Sequence, residues 1–269
     1  MNQRRRPVWD LLFPPRCAVC GEFISDRHDR EISRCLCRIC YEKYLTEVNA
    51  GCAVCRQPYA LCLCRPKSFL PDDLVYAVPY DKVGGTCRKL ILSCKSRKNA
   101  DVIDELSRKM VSAAEKRGVL TEGAVLTFVP RAPEKTLKTG LDQAEELARA
   151  VSALTGLPLF SFFRRRAVGT EQKELRAADR EANADAAFTL TPGAPVPSGG
   201  TVLLIDDVVT TGATVNSCTK LLRSAGAGTV ICLTAAKSIK SYREYMRQDR
   251  EEPASGAPTP DPPGKDPQP

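Results

Sequence analysis

Apolar positions along the chain follow two rhythms. Continuous apolar runs at residues 74–79, 125–129, 201–205 and 229–234 are five or six residues long, the length of strands buried on both faces. A further run at 159–163 could be another strand. Between the runs, apolar residues recur at three- and four-residue intervals. Val102, Ile103, Leu106, Met110 and Val111 mark a helix over 102–116, and Leu141, Leu147, Ala148, Val151 and Leu154 mark one over 141–154. A third, over 215–225, stops at Gly226. Strands alternating with helices predict an α/β fold, a parallel sheet flanked by helices.

The flanks depart from this rhythm, so three regions are expected. Residues 1–68 are rich in Cys and Arg and poor in helical periodicity; 69–245 carry the α/β pattern. Residues 246–269 hold seven of the 20 prolines among acidic and small residues. Such a tail buries too little apolar surface to offset chain entropy and is expected to be disordered. The whole chain, 269 residues with 43% apolar and 6% aromatic content, has room for an aliphatic core. No apolar run approaches the roughly 18 residues that span a bilayer. Arg4-Arg5-Arg6 is followed by no adequate apolar segment, so a cytoplasmic protein is expected.

Charge and cysteines add chemistry. The net charge is +8, and residues 1–68 hold 12 Lys/Arg against seven Asp/Glu. That balance favours polyanionic partners, nucleic acid or phosphorylated metabolites. Of 13 cysteines, nine fall within 48 residues. Eight form close pairs: Cys17 with Cys20, Cys37 with Cys40, Cys52 with Cys55, and Cys62 with Cys64. Two such turns complete a tetrahedral Zn²⁺ site, so these eight are candidate ligands for two ions, or for one with some pairs unused; reduced free thiols are the alternative. Metal would then supply much of the stability of a region with little core of its own. Cys35 is a spare. His28, the single histidine, reads as a solvated loop residue and leaves no Ser-His-Asp or Cys-His constellation. Cys87, Cys94, Cys218 and Cys232 read as buried small apolar residues.

The segment from Thr201 to Thr214 is the sharpest feature. An apolar strand ends in Asp206-Asp207; a hydroxyl-rich loop with Gly212 follows, and then a helix. In open α/β sheets ligands sit at the carboxyl ends of strands. The loop and helix start offer unpaired N–H groups to a phosphate, and Thr210, Thr211 and Thr214 add hydroxyls. Two carboxylates beside such a cradle need another partner, ribose hydroxyls or Mg²⁺.

This string resembles the phosphoribosyl-pyrophosphate motif of type I phosphoribosyltransferases. The wider pattern resembles the ComF family, phosphoribosyltransferase-like proteins linked to DNA uptake in competent bacteria. The resemblance runs from Leu11 to Ala236. It rests on Leu11-Leu-Phe-Pro-Pro-Arg-Cys17, the Cys pairs, Phe128-Val-Pro130, Gly140-Leu-Asp-Gln-Ala-Glu-Glu-Leu-Ala148, Thr170-Glu-Gln172 and Arg180-Glu-Ala-Asn183 leading to Ala187-Phe188. It implies a type I phosphoribosyltransferase fold with a small N-terminal zinc ribbon. Asp206 and Asp207 would hold the ribose hydroxyls, and the stretch Val208, Val209, Thr210, Thr211, Gly212, Ala213, Thr214 the 5′-phosphate. Arg131 and Lys135, in a loop over 131–135, would be the pyrophosphate counter-charges. Residues 164–187, with Arg164, Arg165, Arg166, Lys173, Arg176 and Arg180, correspond to a mobile hood. Two departures stand out. Lys95 lacks the aromatic that usually follows it, and Thr139-Gly-Leu-Asp-Gln143 replaces the usual Arg-Gly-Phe-Asn-Gln, with Lys138 a candidate substitute for the lost Arg.

Two functions follow. One is an enzyme that displaces pyrophosphate from phosphoribosyl pyrophosphate with Mg²⁺, transferring the phosphoribosyl group to an acceptor the sequence does not name. The other is a non-catalytic protein that handles single-stranded DNA through a basic zinc ribbon. The aromatics available there for stacking are Trp9, Phe13, Phe23, Tyr41, Tyr44 and Tyr59, so charge contacts would dominate.

Overall fold

The computed structural model describes residues 14–24, 32–94, 100–165 and 187–239. Its centre is a four-stranded parallel sheet of β1 (Asp73–Tyr80), β2 (Val125–Phe128), β5 (Thr201–Val209) and β6 (Thr229–Ser238), in the order β1-β6-β5-β2. A two-stranded antiparallel ribbon, β3 (Phe163–Arg165) with β4 (Phe188–Leu190), stands apart. The four expected strands form where the apolar runs lie. The run at 159–163 does so only in part: Leu159 makes one bridge to Leu126, and the strand proper starts at Phe163.

Side-chain alternation along β5 divides the core. Leu203 and Ile205 face one layer, with α3 (Ala100–Arg117) and α5 (Gln143–Thr155); Val202 and Leu204 face the other, with α6 (Ala213–Ser224) and the β3–β4 ribbon. Three further helices, α1 (Arg38–Asn49), α2 (Thr86–Ser93) and α4 (Pro133–Thr139), were not expected from the sequence. Helix α1 buries Cys40 and Tyr44 and packs the half-buried Tyr41, Leu45 and Val48 beside them, and α2 and α4 are short.

The Cys-rich region straddles the β1 edge of the sheet. Cys17, Ile24, Cys35, Leu36, Cys40 and Tyr44 join the α3/α5 layer. Cys52, Tyr59 and Cys62 join the α6 layer. Strand β1 suits an edge, because Pro79 has no N–H to donate to a second neighbour. Cys35 is buried in this core outside both groups of cysteine pairs, and Cys87, Cys94, Cys218 and Cys232 are buried as expected. Among the described residues no helix is long and apolar enough to cross a membrane. His28, Lys95, the hood beyond Arg165 and the 246–269 tail lie outside the described residues.

Glu47 ties the Cys-rich region to the α/β layer. Its carboxylate, at the end of α1, accepts the N–H groups of Thr86 at 2.5 Å and Cys87 at 2.8 Å, capping α2 from another element. Gly85 permits the approach: its φ is +96°, and a Cβ there would meet Glu47 Oε2 at 3.0 Å. Within the α/β region, the forked pair of Arg117 with Asp73, at 2.9 and 3.0 Å, joins the end of α3 to the start of β1. Substitution Glu47→Ala leaves two helix-start N–H groups without that acceptor. It should lower unfolding free energy by about 1–2 kcal/mol in denaturant titration.

Candidate functional site

The site forms at the C-terminal ends of β2 and β5. Strand β5 runs beyond its last apolar run, because backbone pairing to β6 continues through Asp206↔Thr234 and Val208↔Ala236. Alternation sends Asp206 toward the α6 side and Asp207 toward the α3/α5 side, so the two carboxylates flank one strand tip. Asp206 Oδ1 accepts the Asp207 N–H at 2.9 Å, and Asp207 Oδ1 accepts the Val208 N–H at 2.7 Å. Burial, then the neighbouring Asp207 charge, push the Asp206 carboxyl well above the usual carboxylate range. Such a group gains from an incoming hydroxyl donor or cation.

Thr210 and Thr211 are exposed, and Gly212 starts α6 with φ +83°. Neither an acidic residue nor a capping side chain at Gly212 occupies the start of this 12-residue helix. Its N-terminal N–H groups, with the Thr210, Thr211 and Thr214 hydroxyls, therefore form a donor-rich end.

Opposite stands the loop after β2. Arg131 lies just past Val129-Pro130, but the expected loop through Lys135 is shorter: Pro133 occupies the first turn of α4, and Lys135 falls inside that helix. Arg131 is firmly held. Its N–H donates to Asp142 Oδ2 at 2.7 Å, and its Nη1 donates to Gln143 Oε1 at 2.8 Å and to the Leu141 carbonyl at 3.2 Å. Asp142 Oδ1 meanwhile accepts the N–H groups of Ala144 at 3.1 Å and Glu145 at 3.3 Å, capping α5. The altered segment 139–143 thus braces the neighbouring loop. Asp142 and Glu145 have capping-box spacing, the one signal that foretold this role. Arg164 and Arg165 belong to β3, and the Arg165 guanidinium sits 5.0 Å from the Phe188 ring centre.

The eight paired cysteines converge as two sets: Cys17, Cys20, Cys37 and Cys40, and Cys52, Cys55, Cys62 and Cys64, each with its sulfurs within 4.8 Å of one another. A Zn–S bond of about 2.3 Å puts the edge of a tetrahedral cage near 3.8 Å. Cys20 and Cys37 are 3.7 Å apart, Cys55 and Cys62 3.6 Å, and Cys52 and Cys64 4.0 Å. The tight Cys62-x-Cys64 spacing therefore closes its tetrad. Burial alone would push Cys17 up, but N–H groups of Cys20, Cys37 and Val19 bring it down to about 7. Cys52, equally against burial, comes down to about 7 through the N–H groups of Cys55 and Val54. One thiol of each tetrad is thus tuned toward the thiolate by its turn, whereas burial raises Cys20, Cys40, Cys62 and Cys64. Beside the second tetrad, burial raises Cys62, and the buried Tyr76 hydroxyl works against that rise. Both tetrads could hold a metal ion.

Comparison with known proteins gives one domain-family match and several partial likenesses. Residues 137–252 match the phosphoribosyl transferase domain family. Over 90 residues the chain is 36% identical to "Competence protein F" of Haemophilus influenzae, covering 33% of this chain and 39% of that protein. The match therefore spans well under half of that relative's length. Among solved structures, an allosteric regulatory enzyme of purine biosynthesis overlaps 49% of this chain and 25% of its own, at 24% identity and TM-score 0.35. Orotate phosphoribosyltransferase from Aeropyrum pernix overlaps 62% of this chain and 82% of its own, at 15% identity and TM-score 0.29. The chain carries a phosphoribosyltransferase-type domain. More narrowly, it is a ComF-like, type I phosphoribosyltransferase-like protein.

Asp142→Asn introduces the residue the ComF pattern usually carries. An amide has one acceptor oxygen, so keeping the α5 cap would set its NH₂ against the Arg131 N–H. Faster hydrogen exchange at the Arg131 amide is expected, with a stability loss of about 1–2 kcal/mol; unchanged exchange would refute the brace.

Proposed function

We propose that the chain binds phosphoribosyl pyrophosphate with Mg²⁺ at the ends of β2 and β5 and transfers the phosphoribosyl group to an acceptor. The observation that carries this reading is one continuous element: a strand through Asp206-Asp207, a threonine loop, and the start of α6 at Gly212, where Thr211 Oγ1 accepts the Ala213 N–H at a long 3.5 Å. Phosphate, sugar and pyrophosphate each find suitable chemistry along it. The stretch from Val208 and Val209 through Thr210, Thr211, Gly212 and Ala213 to Thr214 cradles the 5′-phosphate with N–H and hydroxyl donors. Asp206 and Asp207, flanking the strand tip, accept hydrogen bonds from the ribose hydroxyls. Arg131 and Lys135 supply positive charge to the pyrophosphate, and the contacts of Arg131 with Leu141 and Gln143 fix its direction.

In the reaction, the C1–oxygen bond to pyrophosphate breaks while the acceptor attacks C1, through an oxocarbenium-like transition state. Mg²⁺, when bound with the substrate, neutralises the departing pyrophosphate. The chain's own residues position both ends of the sugar and balance the separating charges. Each cysteine tetrad holds one structural Zn²⁺.

A non-catalytic role on single-stranded DNA has less to build on. Tyr44 and Tyr59 are buried, Tyr41 stacks on Tyr44, and the exposed Phe23 carries Arg16 over its ring. Few platforms for base stacking remain among the described residues, so DNA contact would be electrostatic and would weaken steeply with salt.

Calorimetric titration with phosphoribosyl pyrophosphate in Mg²⁺ should show binding that the double variant Asp206→Asn, Asp207→Asn abolishes. Unchanged affinity in that variant would sink the assignment. Pyrophosphate release across a panel of bases reads turnover. Elemental analysis should find two Zn²⁺ per chain, one for each tetrad; a value near zero overturns the zinc assignment.

A further inference from the structure

The chain leaving the second tetrad runs directly onto the phosphate loop. Two residues after Cys64, Pro66 approaches Gly212, and the Phe69 ring covers it: a Cβ on Gly212 would meet Phe69 Cδ2 at 2.8 Å and Pro66 Cγ at 3.8 Å. Nothing larger than glycine fits beneath that ring, and the positive φ excludes other residues independently. One turn into α6, Asn216 grips the same segment with both ends of its amide. Its Nδ2 donates to the Ser68 carbonyl at 2.8 Å, and its Oδ1 accepts the Leu70 N–H at 2.9 Å. Upstream, Arg65 Nη1 donates to the carbonyls of Pro71 at 3.3 Å and Asp72 at 2.7 Å, closing residues 65–72 into a compact bend.

From this geometry we propose that residues 65–70 form a strap, anchored by the second cysteine tetrad, that presets the phosphate loop, with Phe69 and Asn216 as its positioning residues. Neither residue supplies charge to a ligand. Asn216 spends its donor and its acceptor on the strap, and Phe69 packs on the Cα of Gly212. Their effect is to fix Gly212 in the left-handed conformation that starts α6 and aims its first N–H groups outward. An anion then binds without having to order the loop, which is where preorganisation adds affinity. The strap touches only this half of the site; the pyrophosphate loop is braced separately by Asp142 and Gln143. The second tetrad lies in the α6 layer, whereas the first belongs to the α3/α5 layer. Only the second should therefore communicate with the phosphate.

This inference rests on the phosphoribosyl-pyrophosphate reading, and a ligand split separates the two. Ribose 5-phosphate reports the strap-held loop, and inorganic pyrophosphate with Mg²⁺ reports the opposite loop. Titrations on the full chain, with zinc content measured in parallel, should show Asn216→Ala and Phe69→Ala weakening ribose 5-phosphate about tenfold, with pyrophosphate affinity unchanged. Zinc content should stay at the wild-type value in both. Cys64→Ser should reproduce the ribose 5-phosphate loss, and Cys20→Ser, in the other tetrad, should not. If Cys64→Ser fails to fold, Asn216→Ala still decides, because it leaves every cysteine in place. Wild-type ribose 5-phosphate affinity in Asn216→Ala overturns the strap, as does an equal loss for both ligands. A wild-type chain that binds neither ligand overturns the underlying functional reading instead.

Discussion

The parallel pairing of β5 with β6, registered from Thr201↔Thr229 to Val209↔Lys237, is the constraint on which the site depends. A backbone ladder does not distinguish apolar from charged side chains. It therefore continues past the apolar run that ends at Ile205 and carries Asp206 and Asp207 to the sheet's carboxyl edge as part of a rigid strand. Flexible carboxylates in a loop would turn to solvent. Held in the ladder beside β2 and α6, Asp206 is instead partly stripped of water, and its ionisation becomes costly. The same ladder fixes where the next loop begins, and so the direction in which α6 presents its N-terminus.

Around this centre the Cys-rich region acts less as an appendage than as a clamp. Its two tetrads sit in opposite layers and pass around the β1 edge, which Pro79 marks as unsuited to a further neighbour. Small cysteine modules lack a core large enough to be stable alone. Here that deficit is met in two ways. The sulfur cages have the dimensions of tetrahedral metal sites, and Tyr44, Tyr59, Ile24 and Leu36 are buried in the layers of the sheet. Glu47, capping α2, makes the attachment directional rather than merely apolar.

Much of this was legible in the sequence because it depends on local patterns. Continuous apolar runs located the four sheet strands, and paired cysteines named both tetrads' members. The string from Thr201 to Thr214 marked the strand, carboxylates and loop in order. What escaped depends on contacts distant in sequence. The segment 131–135 looks like a basic loop, yet Pro133, with its fixed φ, starts a helix there. Asn216 meets Ser68 across 148 positions, and no spacing rule could join them. Asp142 shows the intermediate case: its capping of α5 is written in the Asp-x-x-Glu spacing, but its bond to Arg131 appears only once β2 and α5 are packed.

The two loops of the proposed site are held by different means. The pyrophosphate side is braced from within the α/β region, by a carboxylate whose two oxygens serve the α5 cap and the Arg131 backbone at once. The phosphate side is held from the Cys-rich region through an aromatic ring and an amide. A perturbation at one loop need not reach the other, because the brace is built on β2 and α5 and the strap on the second tetrad and α6. The replacement of the usual Asn by Asp142 can accordingly alter the pyrophosphate side while the Asp206-to-Thr214 element stays intact. On the proposed reading, recognition of the phosphorylated sugar and the breaking of its bond to pyrophosphate fall under separate structural control.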